Sequence, residues 1–334
     1  MRLLFFLTAV LCATFSLTTP ASAAQPAPAT QPKIIPGVKV ERDIAYVPNG
    51  DPAQKLDIYL PEKPSDKPLP LVIWIHGGGW RGGSKSGCYV TYLVPQGYAV
   101  ASIEYRFSQK ALFPAQIQDC QAAIRFLRAN AKKYNFDPDK IGVGGDSAGG
   151  HLSALVGTSG GAKAFPPISG NDDVSDRVQA VCDFYGPADF NKVIEQAAAD
   201  KVKNIYPFNT PKDPYSNLIG VAMGSDKAKT DAVSPVHFVS KDDPPFLILH
   251  GDADAQVPFA QSAELAADLK AAGVDVILQK FPGAGHGGTV FRQPAVQELI
   301  KKFFDKHLKG ADVKVEPLPE ASVTVTPATD GKAK

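Results

Sequence analysis

The run 69–75 (LPLVIWI) carries no polar side chain, and it leads straight into His76-Gly77-Gly78-Gly79-Trp80. A strand without a polar face has to be covered on both sides, which places it inside a mostly parallel sheet. Shorter apolar runs at 98–103, 141–143, 178–184, 246–249 and 274–279 repeat the signal. Residues 38–47 and 55–60 alternate imperfectly, as antiparallel edge strands do. Amphipathic stretches fall between the runs: 114–130 sets Ile117, Cys120, Ile124 and Leu127 on one stripe, and 148–156, 259–272 and 294–307 read as further helices. The expectation is an α/β chain with an eight-stranded, mostly parallel, doubly wound sheet and helices on both faces.

With 334 residues and 44% hydrophobic content the chain can bury a large core. Lys plus Arg (35) nearly cancels Asp plus Glu (34), and no basic run stands out, which excludes an electrostatic footprint for nucleic acid or an anionic membrane. Arg2, the apolar stretch 3–17 and Ala21-Ser22-Ala23 follow the order of an export signal over 1–23, so a secreted or periplasmic chain is expected. The apolar stretch falls short of the ~20 residues that span a bilayer, so no stable membrane insertion is expected once it is removed. Residues 24–36 and 311–334 are rich in Pro, Ala and Thr and are expected to be a flexible linker and a disordered tail around a domain at 37–310. Beyond the leader only Cys88, Cys120 and Cys182 remain, which permits at most one disulfide and lacks zinc-site spacing, so no metal is expected.

In a doubly wound sheet the chemistry sits where strands end. Gly145-Asp146-Ser147-Ala148-Gly149 joins a strand to a helix, a turn that lifts a serine clear of the sheet. Gly157-Thr158-Ser159-Gly160-Gly161 matches the same pattern but follows a helix, so context selects Ser147 and makes Ser159 a decoy. The glycines are no nucleotide cradle, because a Lys-Ser/Thr pair and the G-x-G-x-x-G spacing are missing. The triple glycine offers amides to an oxyanion: Gly78 and Gly79, with Ala148, are the candidates, and His76 is expected to brace the loop. After the run 246–249, Asp254 is the candidate carboxylate with Asp252 as its competitor. His286, flanked by glycines, alone among the histidines completes the order Ser, Asp, His.

HGGGW, GDSAGGH, HGDADAQVP and GAGHG, in this order, resemble the α/β-hydrolase superfamily, in its esterase/lipase group with the HGGG loop. Tyr105-Arg106, residues 113–151 and Tyr185-Gly186-Pro187 are similar to bacterial feruloyl and acetyl esterases that deacylate plant polysaccharides such as xylan. The resemblance spans roughly residues 40–308 and is poorest between Asn191 and Asp231. It implies carboxylic-ester hydrolysis on a small-molecule or polysaccharide ester without a cofactor. An arylformamidase or serine peptidase would use the same machinery, and a non-catalytic binding protein usually lacks one member of the triad. Residues 191–232 form an insertion, read either as a small cap over the site or as a packing excursion. Trp80, Tyr105, Asp146 and Tyr185 are the further pocket candidates.

Overall fold

The computed structural model describes residues 35–325, apart from 162, 163, 169 and 201; the expected leader and most of the linker lie outside the described residues. Eight strands form one sheet: β1 (Val38–Ala45), β2 (Lys55–Pro61), β3 (Leu69–Ile75), β4 (Ala99–Ile103), β5 (Phe136–Asp146), β6 (Ala180–Phe184), β7 (Phe246–Gly251) and β8 (Val276–Phe281). Their order is β1-β2-β4-β3-β5-β6-β7-β8; β1 pairs antiparallel with β2 and β2 antiparallel with β4, and the pairings from β4 through β8 are parallel.

The helices are α1 (Ala115–Ala129), α2 (Ala131–Tyr134), α3 (Ala148–Ser159), α4 (Val193–Ala199), α5 (Pro214–Ile219), α6 (Lys227–Val233), α7 (Phe259–Ala271) and α8 (Pro294–Lys309). Along β3, Leu71, Ile73 and Ile75 enter the core that α1, α3 and α7 cover, whereas Val72 and Trp74 enter the core beneath α8. That alternation accounts for a strand apolar throughout: both of its faces are interior. From β3 the chain first adds β4 on one side and then β5 on the other. The sheet therefore reverses direction between β3 and β5, the place where such sheets open a crevice at their carboxyl ends.

Two expectations about the chain ends change. Ile35, within the expected linker, packs on the second core. Residues 311–325 do not behave as a disordered tail: Val315, Leu318, Val323 and Val325 pack against that same core. Leu318 donates its amide to Gln279 Oε1, and Thr324 donates its amide to Gln293 Oε1 at 3.0 Å. The physical reason is periodicity: 311, 313 and 315 are half-buried while 312, 314 and 316 are exposed, so a Pro-rich segment offers one apolar side to the body. Cys88, Cys120 and Cys182 are all free thiols.

Candidate active site

The turn after β5 is built by exclusion of side chains. A Cβ on Gly149 would lie 2.0 Å from the Ile75 carbonyl oxygen, and one on Gly145 would lie 2.4 Å from it, so only glycine lets α3 start against the end of β3. Ser147 sits on this turn with φ 54°, its amide bonded to the Phe184 carbonyl at 2.8 Å. Trp80 (φ 58°) and Tyr185 (φ 46°), after β3 and β6, share this left-handed backbone, and such strained residues gather where a site demands them.

Three side chains from three loops meet. Ser147 Oγ lies 2.8 Å from His286 Nε2, and His286 Nδ1 lies 2.7 Å from Asp254 Oδ2. Burial opposes ionisation of Asp254, but the charge of His286 and the hydrogen bonds from His250 and His286 outweigh it and hold the carboxyl well below the usual range. The competitor Asp252 points elsewhere: its Oδ1 accepts the Gly283 amide at 2.7 Å and its Oδ2 faces Lys280, so it ties the histidine loop to β7. Ser159 ends α3, buried, with its hydroxyl donated to the Leu155 carbonyl at 2.6 Å.

A cavity of about 340 Å³ opens over Ser147 and His286, lined also by Gly78, Gly79, Asp146 and Tyr185. Gly78 takes φ +114°, where a Cβ would lie 2.2 Å from the Gly82 carbonyl oxygen. Among the described residues the amides of Gly78, Gly79 and Ala148 donate to no backbone carbonyl, which leaves them available to an oxyanion. Ala148 opens α3, whose amino end favours negative charge.

The remaining pocket candidates divide. Asp146 and Tyr185 line the cavity, and the Tyr185 ring packs edge-on against His286 with centroids 4.6 Å apart. Burial raises the Asp146 carboxyl above its ordinary value, and its Oδ1 accepts the Gly77 amide. Trp80 and Tyr105 do not line the cavity. Trp80 is 2% exposed, and its indole donates to His151 Nδ1 at 3.1 Å; burial holds that imidazole down at about 4 and therefore neutral. Tyr105 is fully buried, stacked on His76 at 4.6 Å, with its hydroxyl on the His76 carbonyl. Both turn inward because the loop after β3 needs a floor. His76 donates Nδ1–H to the Gly77 carbonyl at 2.7 Å, in keeping with a brace.

The cavity wall also holds Arg81 and Gln256, which sequence reasoning missed, and Tyr206 and Pro214, which it placed only within the insertion 191–232. Tyr206 and Pro214 come from the insertion, so part of it reaches the site, while the buried Tyr215 and Leu218 anchor it in the core. Two further cavities adjoin. One, of about 300 Å³, shares Gly78, Asp146 and Tyr185 and is walled by Trp74, Tyr89, Phe184 and Phe291. The other, of about 680 Å³, shares Arg81 and is lined by Gln109, Asn209, Thr210 and Asn217. Among the described residues no group of three or more His, Cys, Asp or Glu is placed to hold a metal ion, and no helix is long and apolar enough to cross a membrane.

Comparison with known proteins fits this geometry. Esterase LipC of Mycobacterium tuberculosis (strain ATCC 25618 / H37Rv) is 30% identical over 273 residues, covering 78% of this chain and 64% of the relative. Esterase LipQ of the same strain is 31% identical over 269 residues, covering 78% and 61%. The chain thus spans somewhat under two thirds of the length of these curated relatives. Among solved structures, a truncated carbohydrate esterase from gut microbiota superposes with a TM-score of 0.73 at 32% identity, covering 81% of this chain and 96% of that one. A bifunctional GH43-CE protein of Bacteroides eggerthii gives a TM-score of 0.72 at 33% identity, covering 80% and 35%. The family model described as BD-FAE matches residues 56–269. The chain belongs to the BD-FAE family and has the α/β-hydrolase fold.

Proposed function

We propose that this protein is an exported serine carboxylesterase that hydrolyses acetyl or feruloyl esters on plant polysaccharide through an acyl-enzyme. The observation that carries the reading is the unbroken relay from Ser147 Oγ to His286 Nε2 and from His286 Nδ1 to Asp254 Oδ2, at 2.8 and 2.7 Å, beside free glycine amides. His286 takes the Ser147 proton as the oxygen attacks the ester carbonyl, and the amides of Gly78, Gly79 and Ala148 receive the oxyanion. His286 then gives its proton to the leaving alcohol. Asp254 keeps the imidazole in the Nδ1–H tautomer and stabilises its charged form. Water deprotonated by the same imidazole releases the acid.

The adjoining cavities support the substrate class. Neutral hydrogen-bonding side chains suit sugar hydroxyls, and an aromatic-walled cavity suits a planar acyl group. The carbohydrate esterases among the structural neighbours point the same way. Export rests on the leader, residues 1–23. The test is free acetate and ferulate measured after incubation with acetylated and feruloylated xylan, with Ser147→Ala as the blank. Release of neither, with turnover of an N-formyl aryl amine or a proline anilide instead, overturns the reading.

A further inference from the structure

Asp254 Oδ2 carries two imidazoles. His286 Nδ1 lies 2.7 Å from it and His250 Nε2 lies 3.1 Å from it, while Oδ1 accepts the amides of Gln256 and Val257 at 2.7 and 2.9 Å. His250 is fully buried at the end of β7. Its Nε2 also faces the Val257 carbonyl oxygen at 3.1 Å, so two acceptors surround that nitrogen and it bears the hydrogen. Across the ring, Nδ1 lies 2.7 Å from the hydroxyl of Ser262 in α7, which donates to it in the neutral ring. Acyl transfer as set out above uses one imidazole, yet a second, satisfied at both nitrogens, is aimed at the same carboxylate oxygen.

We infer that His250 is a positioning residue acting through Asp254: its bond to Oδ2, steadied by Ser262, draws off part of the carboxylate's charge and sets the pH at which His286 is free to accept the Ser147 proton. The inference rests on the serine-esterase reading. A carboxylate that shares an oxygen with a second donor attracts an imidazolium less strongly. Because two amides anchor Oδ1, loss of His250 leaves Asp254 in place and concentrates its charge on His286. The charged imidazole is then held more firmly, and the acid limb of the pH–rate profile moves to higher pH. Other groups face the pair: Asp146 at the end of β5 acts on His286, Asp183 at the end of β6 acts on His250, and the phenols of Tyr185, Tyr206 and Tyr215 lie within the field of Asp254. These side chains are common to the wild type and the variants; Asp183, whose carboxyl His250 helps to lower, is the one that responds to that ring directly, and Ser262→Ala, which keeps the ring, separates the two effects.

The experiment is kcat/KM against pH on p-nitrophenyl acetate for the full chain and for His250→Phe, His250→Gln, Ser262→Ala and Ser147→Ala, with Tm measured for each. His250→Phe should move the acid limb up by roughly half to one unit with KM little changed. His250→Gln, whose amide can donate to the same oxygen, should return the limb toward the wild type. Ser262→Ala should move it in the same direction as the Phe variant, by less. Acid limbs unmoved in folded His250→Phe and Ser262→Ala overturn the inference; if the Phe variant does not fold, the Ser262→Ala limb decides alone. A Ser147→Ala protein that still turns over substrate overturns the serine-esterase reading and this inference with it. An inactive Ser147→Ala beside unmoved limbs overturns this inference only.

Discussion

Asp146 Oδ1 accepts the amide of Gly77 at 3.1 Å, so the residue before the serine also fixes the first glycine of the loop whose later amides border the cavity. The ends of β3 and β5 are thereby held as one unit at the reversal of the sheet. Asp146→Ala should lower kcat by about tenfold or more through a loosened loop. Asp146→Asn keeps an acceptor for Gly77 and should stay within a few-fold of the wild type. Equal losses in both would show that the charge, rather than the bond, matters.

Asp254→Asn should cost on the order of 10⁴ in kcat, because an amide can present its N–H to His286 and turn the imidazole to the wrong tautomer. Asp252→Asn, altering a carboxylate directed at Gly283 and Lys280, should leave kcat within a few-fold. Steady-state rates on p-nitrophenyl acetate check both, and a reversed ranking would move the triad carboxylate to Asp252.

Asp183 is fully buried, and burial pushes its carboxyl up to about 6 despite the Gly186 amide it accepts. A folded value above the unfolded one means that the native state holds the extra proton, so this group's stabilisation is full below about 4 and lost as pH rises through about 6. Asp183→Asn removes the charge to be buried. It should raise stability relative to wild type at pH 8 by up to on the order of 3 kcal/mol and by about half as much at pH 5. Denaturant midpoints at the two pH values check this; a gain of equal size at both would point to packing instead.

Gly78→Ala places a methyl 2.2 Å from a backbone oxygen at a φ of +114°, so the loop itself has to shift. A displaced amide should cost roughly 10² to 10³ in kcat, with a smaller loss of Tm. An unchanged kcat would remove Gly78 from the oxyanion site.

Arg292 is exposed, lines the aromatic-walled cavity and lies 5.1 Å over the Tyr89 ring. Arg292→Ala should lower kcat/KM on methyl ferulate by about three- to tenfold and leave methyl acetate unaffected. Equal effects on both esters would place the planar group elsewhere.

The strand ends were legible because glycine, histidine and aspartate there have few competing reasons to occur, and the chain order Ser147, Asp254, His286 removed the rest. What escaped depends on side-chain direction and on long-range pairing. Trp80 and Tyr105 stand beside the right motif, but a left-handed turn and partners at His151 and His76 send them into the core. Tyr206 and Gln256 share a hydrogen bond at 2.8 Å across fifty residues of sequence, which no local pattern announces. Chain order excludes His250 as the general base, and its place four residues before Asp254 carries no local signal that both imidazoles share one carboxylate oxygen.

The segment 311–325 lies over β8, the last strand of the sheet, with Leu318 bonded to Gln279 and its apolar residues sharing a core with Ile277. A terminal strand offers unpaired amides and carbonyls to any neighbour that can add a strand of its own. Trimming the chain at residue 310 on the strength of its composition would strip Val315, Leu318, Val323 and Val325 from that core and leave apolar surface bare beside an edge strand, an invitation to self-association.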